Sequence, residues 1–306
     1  MNLPHDTHSP TMGFTDLHCH GAVGYGFNDA REQGVGEAVA FHRSHGTTAL
    51  VLSLVSAPLD QLVQRLHELR SIIPGIPGVV GVHLEGPFLA QARRGAHHPG
   101  ALIIPSARTV DALLEAGEGI LVQVTLAPEL PGALGAIDSL VSAGVIVAIG
   151  HTNADADTAG AAFDRGARLL THSFNAMAGL GHRDPGPIGA AIDREHVVLE
   201  LIADGHHVHR TLIRTLFAAA PGRVALVTDA MPATGLADGI HRLGQLDVDV
   251  RHGVPRVVGS DTLAGSTLTM ARAVEVAVNA GVQVDDAMAA ATIVPATLLG
   301  ALRDPR

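Results

Sequence analysis

The run Val145-Ile146-Val147-Ala148-Ile149 contains only apolar residues and is followed directly by Gly150. A half-exposed strand alternates apolar and polar residues, whereas a parallel strand that is buried on both faces is apolar throughout. The run therefore predicts a buried parallel strand over Val145–Gly150. Similar apolar segments recur at intervals of roughly 25–40 residues, which is the spacing of a repeated strand–helix unit.

Eight such segments are present, and each predicts one strand. They are Gly13–His18, Thr47–Leu54, Val79–Glu85, Ile120–Leu126, Val145–Gly150, Arg168–Ser173, Val197–Ala203 and Val224–Thr228. Segments with helical spacing lie between them, for example Leu59–Ile73 and Thr211–Ala220. Eight strands with helical crossovers favour an α/β fold, a (β/α)8 TIM-type barrel. An open doubly wound sheet is the second interpretation, but no G-x-G-x-x-G motif follows the first strand to support a dinucleotide site.

The chain of 306 residues fits a single barrel domain over residues 1–306. Residues 236–262 are rich in Gly and Asp and include an alternating stretch, which predicts a small β-hairpin excursion. Gly179–Gly189 is rich in Pro and Gly and predicts a loop over one barrel face. Two final helices are predicted at roughly Ser266–Ala280 and Asp285–Leu299.

Composition limits the partners and the location of the protein. The formal net charge of -10 argues against nucleic acid or an anionic membrane, because both need a basic face. The single cysteine, Cys19, cannot form an intrachain disulfide. The first twelve residues lack the apolar segment of a signal peptide, and no apolar run reaches about 18 residues. We therefore expect a cytoplasmic protein.

All 20 basic residues are Arg, and Lys is absent. A phosphate-binding Walker A loop needs its Lys, and Schiff-base chemistry needs a Lys amine. Both are excluded. A metal site bridged by a carboxylated Lys, which is common among barrel hydrolases, is excluded as well.

Polar residues interrupt the apolar pattern almost entirely at the predicted C-terminal ends of strands. The C-terminal rim is where barrel enzymes carry their active sites, so residues from distant strands can converge there. A lone His at such a position is usually an ordinary strand-end residue, but six polar residues at these ends favour a metal site. These six residues are His18, His20, Glu85, His151, His172 and Asp229.

His18 and His20 lie two residues apart on the first predicted strand, so both side chains share one face and can bind one ion. Cys19 then points the other way and is expected to be a buried thiol. Four imidazoles and two carboxylates suit Zn²⁺ or Fe²⁺ better than Mg²⁺ or Ca²⁺. His83 lies on the same strand face as Glu85, and we expect it either to support a metal ligand from behind or to be a core residue.

The sequence resembles the N-acetylglucosamine-6-phosphate deacetylases of the amidohydrolase superfamily. The similarity covers nearly the whole chain, and the Glu-Gly-Pro and Asn-Ala-Met motifs are specific to these deacetylases. The matching segments are Gly13–Gly21, His83–Pro87, Gly95–Pro99, Val124–Glu129, Gly150–Ala154, Thr171–Met177, Ala203–Val208, Val227–Ala230 and Leu263–Ser266.

The resemblance implies hydrolysis of the N-acetyl amide of a phosphorylated amino sugar. It implies that Glu85, His151 and His172 hold the metal of the family, and that His18 and His20 match the pair of members with a second ion. Zn²⁺ is the expected metal, with Fe²⁺ as the alternative, and one or two ions per subunit are open. Asp229 matches the catalytic acid/base and is also counted among the metal ligands. His97 is a candidate to stabilise the oxyanion.

The resemblance also implies the substrate contacts. Arg183 looks like the family arginine that reaches the sugar phosphate from the neighbouring subunit, which implies a homodimer. Family members usually carry a small β-sandwich built from both chain ends, and we expect this domain to be missing or minimal here. The residues that match substrate contacts are Ala96, His97, Asn175, Ala176, Arg183, His207, Leu263, Ala264 and Gly265.

Several interpretations stay open at this point. Of His206, His207 and His209, we expect only His207 to face the site. Asp204 is either a cap of the following helix or a substrate contact. The same metal residues would serve another amidohydrolase, acting on a cyclic amide or another N-acetyl sugar, or a metal-binding barrel without catalytic activity.

Overall fold

The structure is a computed structural model that describes residues 13–300. The prediction about a signal peptide in the first twelve residues concerns a segment outside this range. In chain order the strands are β1 (Phe14–Cys19), β2 (Gly21–Ala22), β3 (Tyr25–Gly26), β4 (Thr47–Val55), β5 (Val79–Glu85), β6 (Leu121–Leu126), β7 (Ile146–Ile149), β8 (Leu169–Leu170), β9 (Val198–Ile202), β10 (Val224–Val227), β11 (Gly239–Leu243), β12 (Leu246–Arg251) and β13 (Val254–Val257).

Ten α-helices alternate with or follow these strands within residues 13–300. They are α1 (Glu32–Ser44), α2 (Leu59–Ile72), α3 (Ala107–Ala116), α4 (Ala133–Ser142), α5 (Ala156–Asp164), α6 (Gly186–Ile192), α7 (Arg210–Ala219), α8 (Met270–Ala280), α9 (Val284–Ala291) and α10 (Ile293–Gly300). Within the same range, no helix is both long enough and apolar enough to cross a membrane.

Eight strands form one sheet in the order β1-β4-β5-β6-β7-β8-β9-β10, and every pairing between neighbours is parallel. The strands are buried on both faces; all four residues of β7, for example, are buried. The predicted (β/α)8 barrel is confirmed, and the alternative of an open doubly wound sheet is wrong.

The barrel closes between β10 and β1 through a few specific contacts rather than a long ladder. The amide of Asp229 donates to the carbonyl of His18 at 2.8 Å, and the amide of His20 donates to the carbonyl of Ala230 at 2.8 Å. The buried carboxylate of Asp16 accepts hydrogen bonds from the backbone amide and the hydroxyl of Thr228, at 3.2 and 2.6 Å. A side chain therefore supplies part of the hydrogen bonding that joins the first strand to the last.

The region predicted as a hairpin is a three-stranded antiparallel sheet of β11, β12 and β13. It packs over the mouth of the barrel, where Leu243 and Val248 join a buried apolar cluster with Val55 and Met231. Residues 13–300 contain no two-layer β-sandwich. The small sheet thus forms one wall above the C-terminal ends of the barrel strands.

Several element boundaries differ from the sequence predictions. The predicted loop Gly179–Gly189 runs into α6, which begins at Gly186. The helix predicted from Ser266 begins only at Met270, because Ser266 is hydrogen-bonded to the end of β10 through the carbonyls of Thr228 and Asp229.

The last predicted helix is two helices, α9 and α10, which are separated at Thr292. Thr292 has φ -132° and ψ -77°, outside the helical region. Pro295 has no amide to donate to the preceding turn, so one continuous helix through this point would lose a hydrogen bond. The backbone amides in the first turn of a helix have no partner within that helix, so Pro295 costs no hydrogen bond at the start of α10.

Candidate active site

The six strand-end residues predicted as a metal site lie together at the C-terminal mouth of the barrel. Three of them, His151, His172 and Asp229, have positive φ angles of 48°, 25° and 48°. Non-glycine residues adopt this left-handed region rarely and at a cost of roughly 1–3 kcal/mol. The chain takes this conformation directly after β7, β8 and β10, where it turns the three side chains toward one point.

Glu85 ends β5 and contacts imidazoles on both sides. Its Oε1 lies 3.0 Å from Nε2 of His151 and 3.1 Å from Nε2 of His172. The two imidazole Nε2 atoms are 3.0 Å apart. These three ligand atoms could hold one metal ion.

A second set of possible ligands shares the same glutamate. Nε2 of His18 and Nε2 of His20 are 3.1 Å apart. Oε2 of Glu85 lies 3.3 Å from Nε2 of His20, and Oε1 of Glu85 lies 3.5 Å from Nε2 of His18. Oδ1 of Asp229 completes the set, at 3.2 Å from His20 and 3.6 Å from His18. Glu85 therefore lies between two groups of ligand atoms, as a bridging carboxylate would.

The hydrogen bonds on the far side of each ring test whether these residues fit a cation. Nδ1 of His20 donates to the carbonyl of Ser53, and Nδ1 of His151 donates to the carbonyl of Arg93. In a neutral ring this leaves a lone pair on Nε2, the atom that faces the cluster. Ligands around a tetrahedral Zn²⁺ with Zn–N distances of 2.0–2.1 Å are about 3.3 Å apart. The convergent nitrogens therefore fit a divalent transition metal in both donor chemistry and spacing.

The charges around the cluster favour an added cation. Burial opposes the charged form of His18, yet the carboxylates of Glu85, Glu200 and Asp229 raise its pKa well above the ordinary value. The pKa of His20 is raised to about 8, because hydrogen bonds to Asp229 and Glu85 outweigh burial. Burial would raise the pKa of the Glu85 carboxyl, but the nearby imidazoles hold it well below its usual range. The Glu85 carboxylate is thus ionised, and all of its ion-pairing partners among residues 13–300 are imidazoles.

His97 is buried beside the cluster and is neutral. Its Nδ1 accepts a hydrogen bond from the amide of Ser56 at 3.2 Å, so the proton of the neutral ring is on Nε2. That Nε2 lies 3.1 Å from Oε2 of Glu85. Burial lowers the pKa of His97 to about 4. His97 can therefore act as a neutral hydrogen-bond donor at physiological pH.

A cavity of about 400 Å³ opens above the cluster. Its floor includes Glu85, His151, His172 and Asp229, and its walls include Leu243 of the small sheet. Seven of the predicted substrate residues line this cavity: Ala96, His97, Asn175, Ala176, His207, Leu263 and Gly265.

Two predicted substrate residues do not line the cavity in this chain. Ala264 is fully buried in the apolar cluster beneath the small sheet, so its side chain cannot contact a ligand without repacking. Arg183 is exposed on the loop before α6. A site on the same chain is therefore not served by Arg183 in this conformation.

Asp204 holds His207 in place. Its carboxylate accepts from the backbone amides of His206 and His207, and it lies 2.6 Å from Nδ1 of His207. These hydrogen bonds lower the pKa of Asp204 against the effect of burial. Asp204 thus caps the turn that contains His206 and His207. It does not cap α7, whose N-terminal cap is His209. The prediction that Asp204 caps the following helix is therefore wrong, and its alternative role as a substrate contact stays a prediction. In the structure Asp204 orients His207, which lines the cavity.

Two charged residues of this region, Glu200 and Arg93, are not among the residues predicted from the sequence. Glu200 is fully buried in β9 and lies 3.1 Å from Nδ1 of His18. A lone carboxylate within the apolar run Val198–Ile202 was the available signal. Arg93 lines the cavity, and it is the one Arg among the described lining residues. Its neighbour Arg94 is exposed, and sequence alone does not distinguish the two.

Cys19 and His83 lie below the cluster. Cys19 Sγ is 3.2 Å from Nε2 of His42 and points away from the predicted metal ligands. Cys19, His42 and Asp16 form a third group of buried ligand atoms, but both carboxylate oxygens of Asp16 already accept hydrogen bonds. His83 is held between Ser53 and Thr125 at 2.9 and 2.8 Å, as part of the polar interior of the barrel.

The sequence profile of the amidohydrolase family matches residues 11–302. The chain belongs to the amidohydrolase family. A relative from Bos taurus named N-acetylglucosamine-6-phosphate deacetylase is 40% identical over 301 residues, which are 94% of this chain and 74% of the relative. A deacetylase of the same name from Vibrio furnissii is 37% identical and is aligned over 86% of this chain and 66% of its own length.

Two further deacetylases are similar to most of this chain. An N-acetylgalactosamine-6-phosphate deacetylase from Escherichia coli O157:H7 is 38% identical over 292 residues, covering 94% of this chain and 77% of that protein. A mutant of N-acetyl-D-glucosamine-6-phosphate deacetylase from Mycobacterium smegmatis, solved with N-acetyl-D-glucosamine-6-phosphate, superposes with a TM-score of 0.90 at 44% identity. That comparison covers 94% of this chain and 77% of the other.

These matches confirm the resemblance that the motifs indicated, and with it the prediction of a hydrolase of the deacetylase type. The chain spans only 66% of the Vibrio furnissii relative and 77% of the Mycobacterium smegmatis chain.

Proposed function

We propose that this chain hydrolyses the N-acetyl amide of N-acetylglucosamine-6-phosphate, so that water and the amide yield glucosamine-6-phosphate and acetate. The observation that carries this proposal is the meeting of six imidazole and carboxylate side chains from five strand ends at the floor of one cavity. The similarity to deacetylases with that substrate supports the sugar phosphate. We propose the barrel of residues 13–300 as the catalytic domain and the cytoplasm as its place of action.

The convergent ligand atoms support a bound divalent transition metal, with Zn²⁺ preferred over Fe²⁺ because imidazoles and carboxylates suit both and Zn²⁺ favours low coordination numbers. Glu85, His151 and His172 would hold one ion, and Glu85, His18 and His20 would hold a second. A divalent metal at such a site lowers the pKa of water from 15.7 to about 7 and so supplies the nucleophile at neutral pH.

Asp229 would move the proton in this reaction. Burial raises its pKa, but the charge of His18 and the hydrogen bond with His20 lower it below the ordinary value, so the carboxylate is ionised. It can accept a proton from the attacking water and then donate it to the leaving amine nitrogen. His97, neutral and carrying its proton on Nε2, can donate to the carbonyl oxygen as negative charge develops there.

The residues that line the cavity include donors that suit a phosphate. Arg93, His207 and Asn175 are among them. Arginine binds phosphate oxygens with two parallel hydrogen bonds. We also propose a homodimer in which Arg183, exposed on its loop, reaches the phosphate in the neighbouring subunit.

A second candidate substrate is N-acetylgalactosamine-6-phosphate. It is favoured by the 38% identity to a deacetylase that is named for this sugar. The two sugars differ only in the configuration at one hydroxyl group, and both present the same amide and the same phosphate.

Acetate release distinguishes these candidates. We expect the Zn²⁺-loaded protein to release acetate from N-acetylglucosamine-6-phosphate with a larger kcat/KM than from N-acetylgalactosamine-6-phosphate or unphosphorylated N-acetylglucosamine. A preference for the galacto sugar would select the second candidate. Equal rates with and without the 6-phosphate would reject the phosphorylated substrate class and favour another amidohydrolase activity.

A further inference from the structure

Glu200 is an ionisable side chain in the interior of the barrel that the mechanism above does not use. It lies in the middle of β9 between Leu199 and Leu201, and it is fully buried. Burying a carboxylate is unfavourable unless charges and hydrogen bonds compensate for the loss of water. The contacts of Glu200 therefore show which groups compensate for its loss of hydration.

The contacts of Glu200 lead to two predicted metal ligands. Its Oε2 lies 3.1 Å from Nδ1 of His18 and accepts the backbone amide of His172 at 3.1 Å. Its Oε1 accepts from the amide group of Gln123 at 3.2 Å. Among the described residues, the imidazole of His18 is its one ion-pairing partner. The negative charge is therefore directed at His18.

This contact sets which nitrogen of His18 is free. A carboxylate can only accept, so Nδ1 of His18 carries a proton, and in the neutral ring the lone pair is on Nε2, which faces His20, Glu85 and Asp229. Carboxylates behind metal-binding imidazoles fix the tautomer and increase the basicity of the ligand. The corresponding far-side partners of His20 and His151 are uncharged carbonyl groups, and Nδ1 of His172 has no hydrogen-bond partner within residues 13–300.

The asymmetry between the two groups of ligands leads to the inference, which rests on the metal centre of the proposed function. We propose that Glu200 is a positioning residue that selectively strengthens metal binding by the His18–His20–Glu85 group. The His151–His172–Glu85 group depends on Glu200 only through one backbone amide. Glu200 therefore determines whether this chain binds a second ion tightly, rather than whether it binds metal at all.

The experiment measures Zn²⁺ binding to the metal-free protein by calorimetric titration, and Co²⁺ binding by visible absorption. The wild-type protein should bind two equivalents. Glu200→Gln should weaken the second equivalent by roughly 10–100-fold and change the matching Co²⁺ bands, while the first equivalent changes by less than a few-fold. Glu200→Asp should recover part of the affinity, because the carboxylate returns at a shorter reach.

The control is Thr125→Val, which alters another fully buried polar side chain of the barrel interior, one that is hydrogen-bonded to His83 and Thr171 and not to Glu200. It should leave the Zn²⁺ affinity of both equivalents unchanged. The inference is overturned if the wild type binds one equivalent only, if Glu200→Gln leaves the second equivalent intact, or if both variants weaken both equivalents alike. Metal binding is read without turnover, so a failure to hydrolyse N-acetylglucosamine-6-phosphate would reject the proposed function and leave this test standing.

Discussion

Five imidazoles from separate parts of the barrel mouth lie within 3.5 Å of the carboxylate oxygens of Glu85. They belong to His18, His20, His97, His151 and His172. For a neutral ring whose Nε2 carries a lone pair, this proximity to the carboxylate is unfavourable unless a cation or a shared proton lies between them. At the scale of single residues, hydrogen bonds on the far side of the ring orient His18, His20 and His151, whereas Nδ1 of His172 has no hydrogen-bond partner among residues 13–300.

Asp229→Asn tests the proton transfer. The amide keeps the shape of the side chain but cannot accept a proton, so we expect kcat for acetate release to fall roughly 10²–10⁴-fold while KM changes little. Metal content must be measured on the same samples, since Asp229 lies 3.2 Å from His20. A kcat within a few-fold of wild type at equal metal content would reject Asp229 as the acid/base.

Arg93→Ala tests the proposed contact between Arg93 and the phosphate of the substrate. Loss of a charged donor to the phosphate should raise KM for the 6-phosphate sugar by roughly 10–100-fold, from about 1.5–3 kcal/mol of binding energy. The adjacent Arg94→Ala is the matched control, because Arg94 is exposed and does not line the cavity. Equal effects of the two substitutions would exclude a specific contact, as would an equal rise in KM for the unphosphorylated sugar.

His42→Gln should change the pH dependence of stability. Burial, with a smaller contribution from the charge of His45, lowers the pKa of His42 from 6.5 to about 4, although the carbonyl of Gly21 partly opposes the shift. Between these pH values the unfolded ring binds a proton and the folded ring does not. The free energy of unfolding therefore falls as the pH drops from 6.5 to 4, by up to about 3 kcal/mol from this residue.

Denaturant unfolding of metal-free protein at several pH values measures this contribution. His42→Gln should flatten the pH dependence between 4 and 6.5. His67→Gln, at an exposed position of α2, is the control and should leave the dependence as it is in the wild type. If His42→Gln gives the same slope as the control, the ring is not held neutral in the folded state.

At the scale of elements, the closure of the barrel depends on a side-chain hydrogen bond between β1 and the end of β10. Thr228→Val removes the hydroxyl that donates to the buried carboxylate of Asp16. We expect the free energy of unfolding to fall by about 1–3 kcal/mol, because a buried charged acceptor loses a partner. Denaturant unfolding measures the change.

Thr47→Val is the matched control for that substitution. Thr47 is equally buried at the start of β4, but its hydroxyl has no hydrogen-bond partner among the described residues. Replacing it with a methyl group should be neutral or stabilising. Equal destabilisation by the two substitutions would show that the loss comes from packing rather than from the contact between Asp16 and Thr228.

The barrel strands could be predicted because burial on both faces leaves continuous apolar runs such as Val145–Ile149. The prediction is weakest where hydrogen bonding rather than apolar sequence defines the element. The sixth strand is predicted as Arg168–Ser173 and is only Leu169–Leu170, because the chain turns away there with His172 and Phe174 in left-handed conformations. In the sequence, Pro295 is the residue that indicates the break between α9 and α10.

The candidate site could be predicted to a similar degree, and for a comparable reason. Strand ends of a barrel meet at one rim, so His18, Glu85 and Asp229 could be grouped without coordinates. Glu200 acts from inside the barrel, and only packing shows which ring it contacts. Arg93 and Arg94 are neighbours in sequence, and only the path of the loop decides which of them faces the cavity.

At the scale of the whole molecule, the charge of the protein opposes the charge of the proposed substrate. The formal net charge is -10, and a sugar phosphate is also an anion, so the overall field repels it. Binding must then come from local donors in the cavity, which Arg93 and His207 supply. The three-stranded sheet of β11, β12 and β13 adds an apolar wall to the cavity through Leu243.

The central claim is that imidazoles and carboxylates gathered from distant strands hold divalent cations that make the barrel an amide hydrolase. The most direct measurement is acetate release from N-acetylglucosamine-6-phosphate by metal-free protein during stepwise addition of Zn²⁺. The account predicts that activity is absent after chelation, rises in proportion to bound Zn²⁺, and saturates at one or two equivalents per subunit. Release that never exceeds that of Asp229→Asn at any loading, or release that is undiminished in fully metal-free protein, would contradict it.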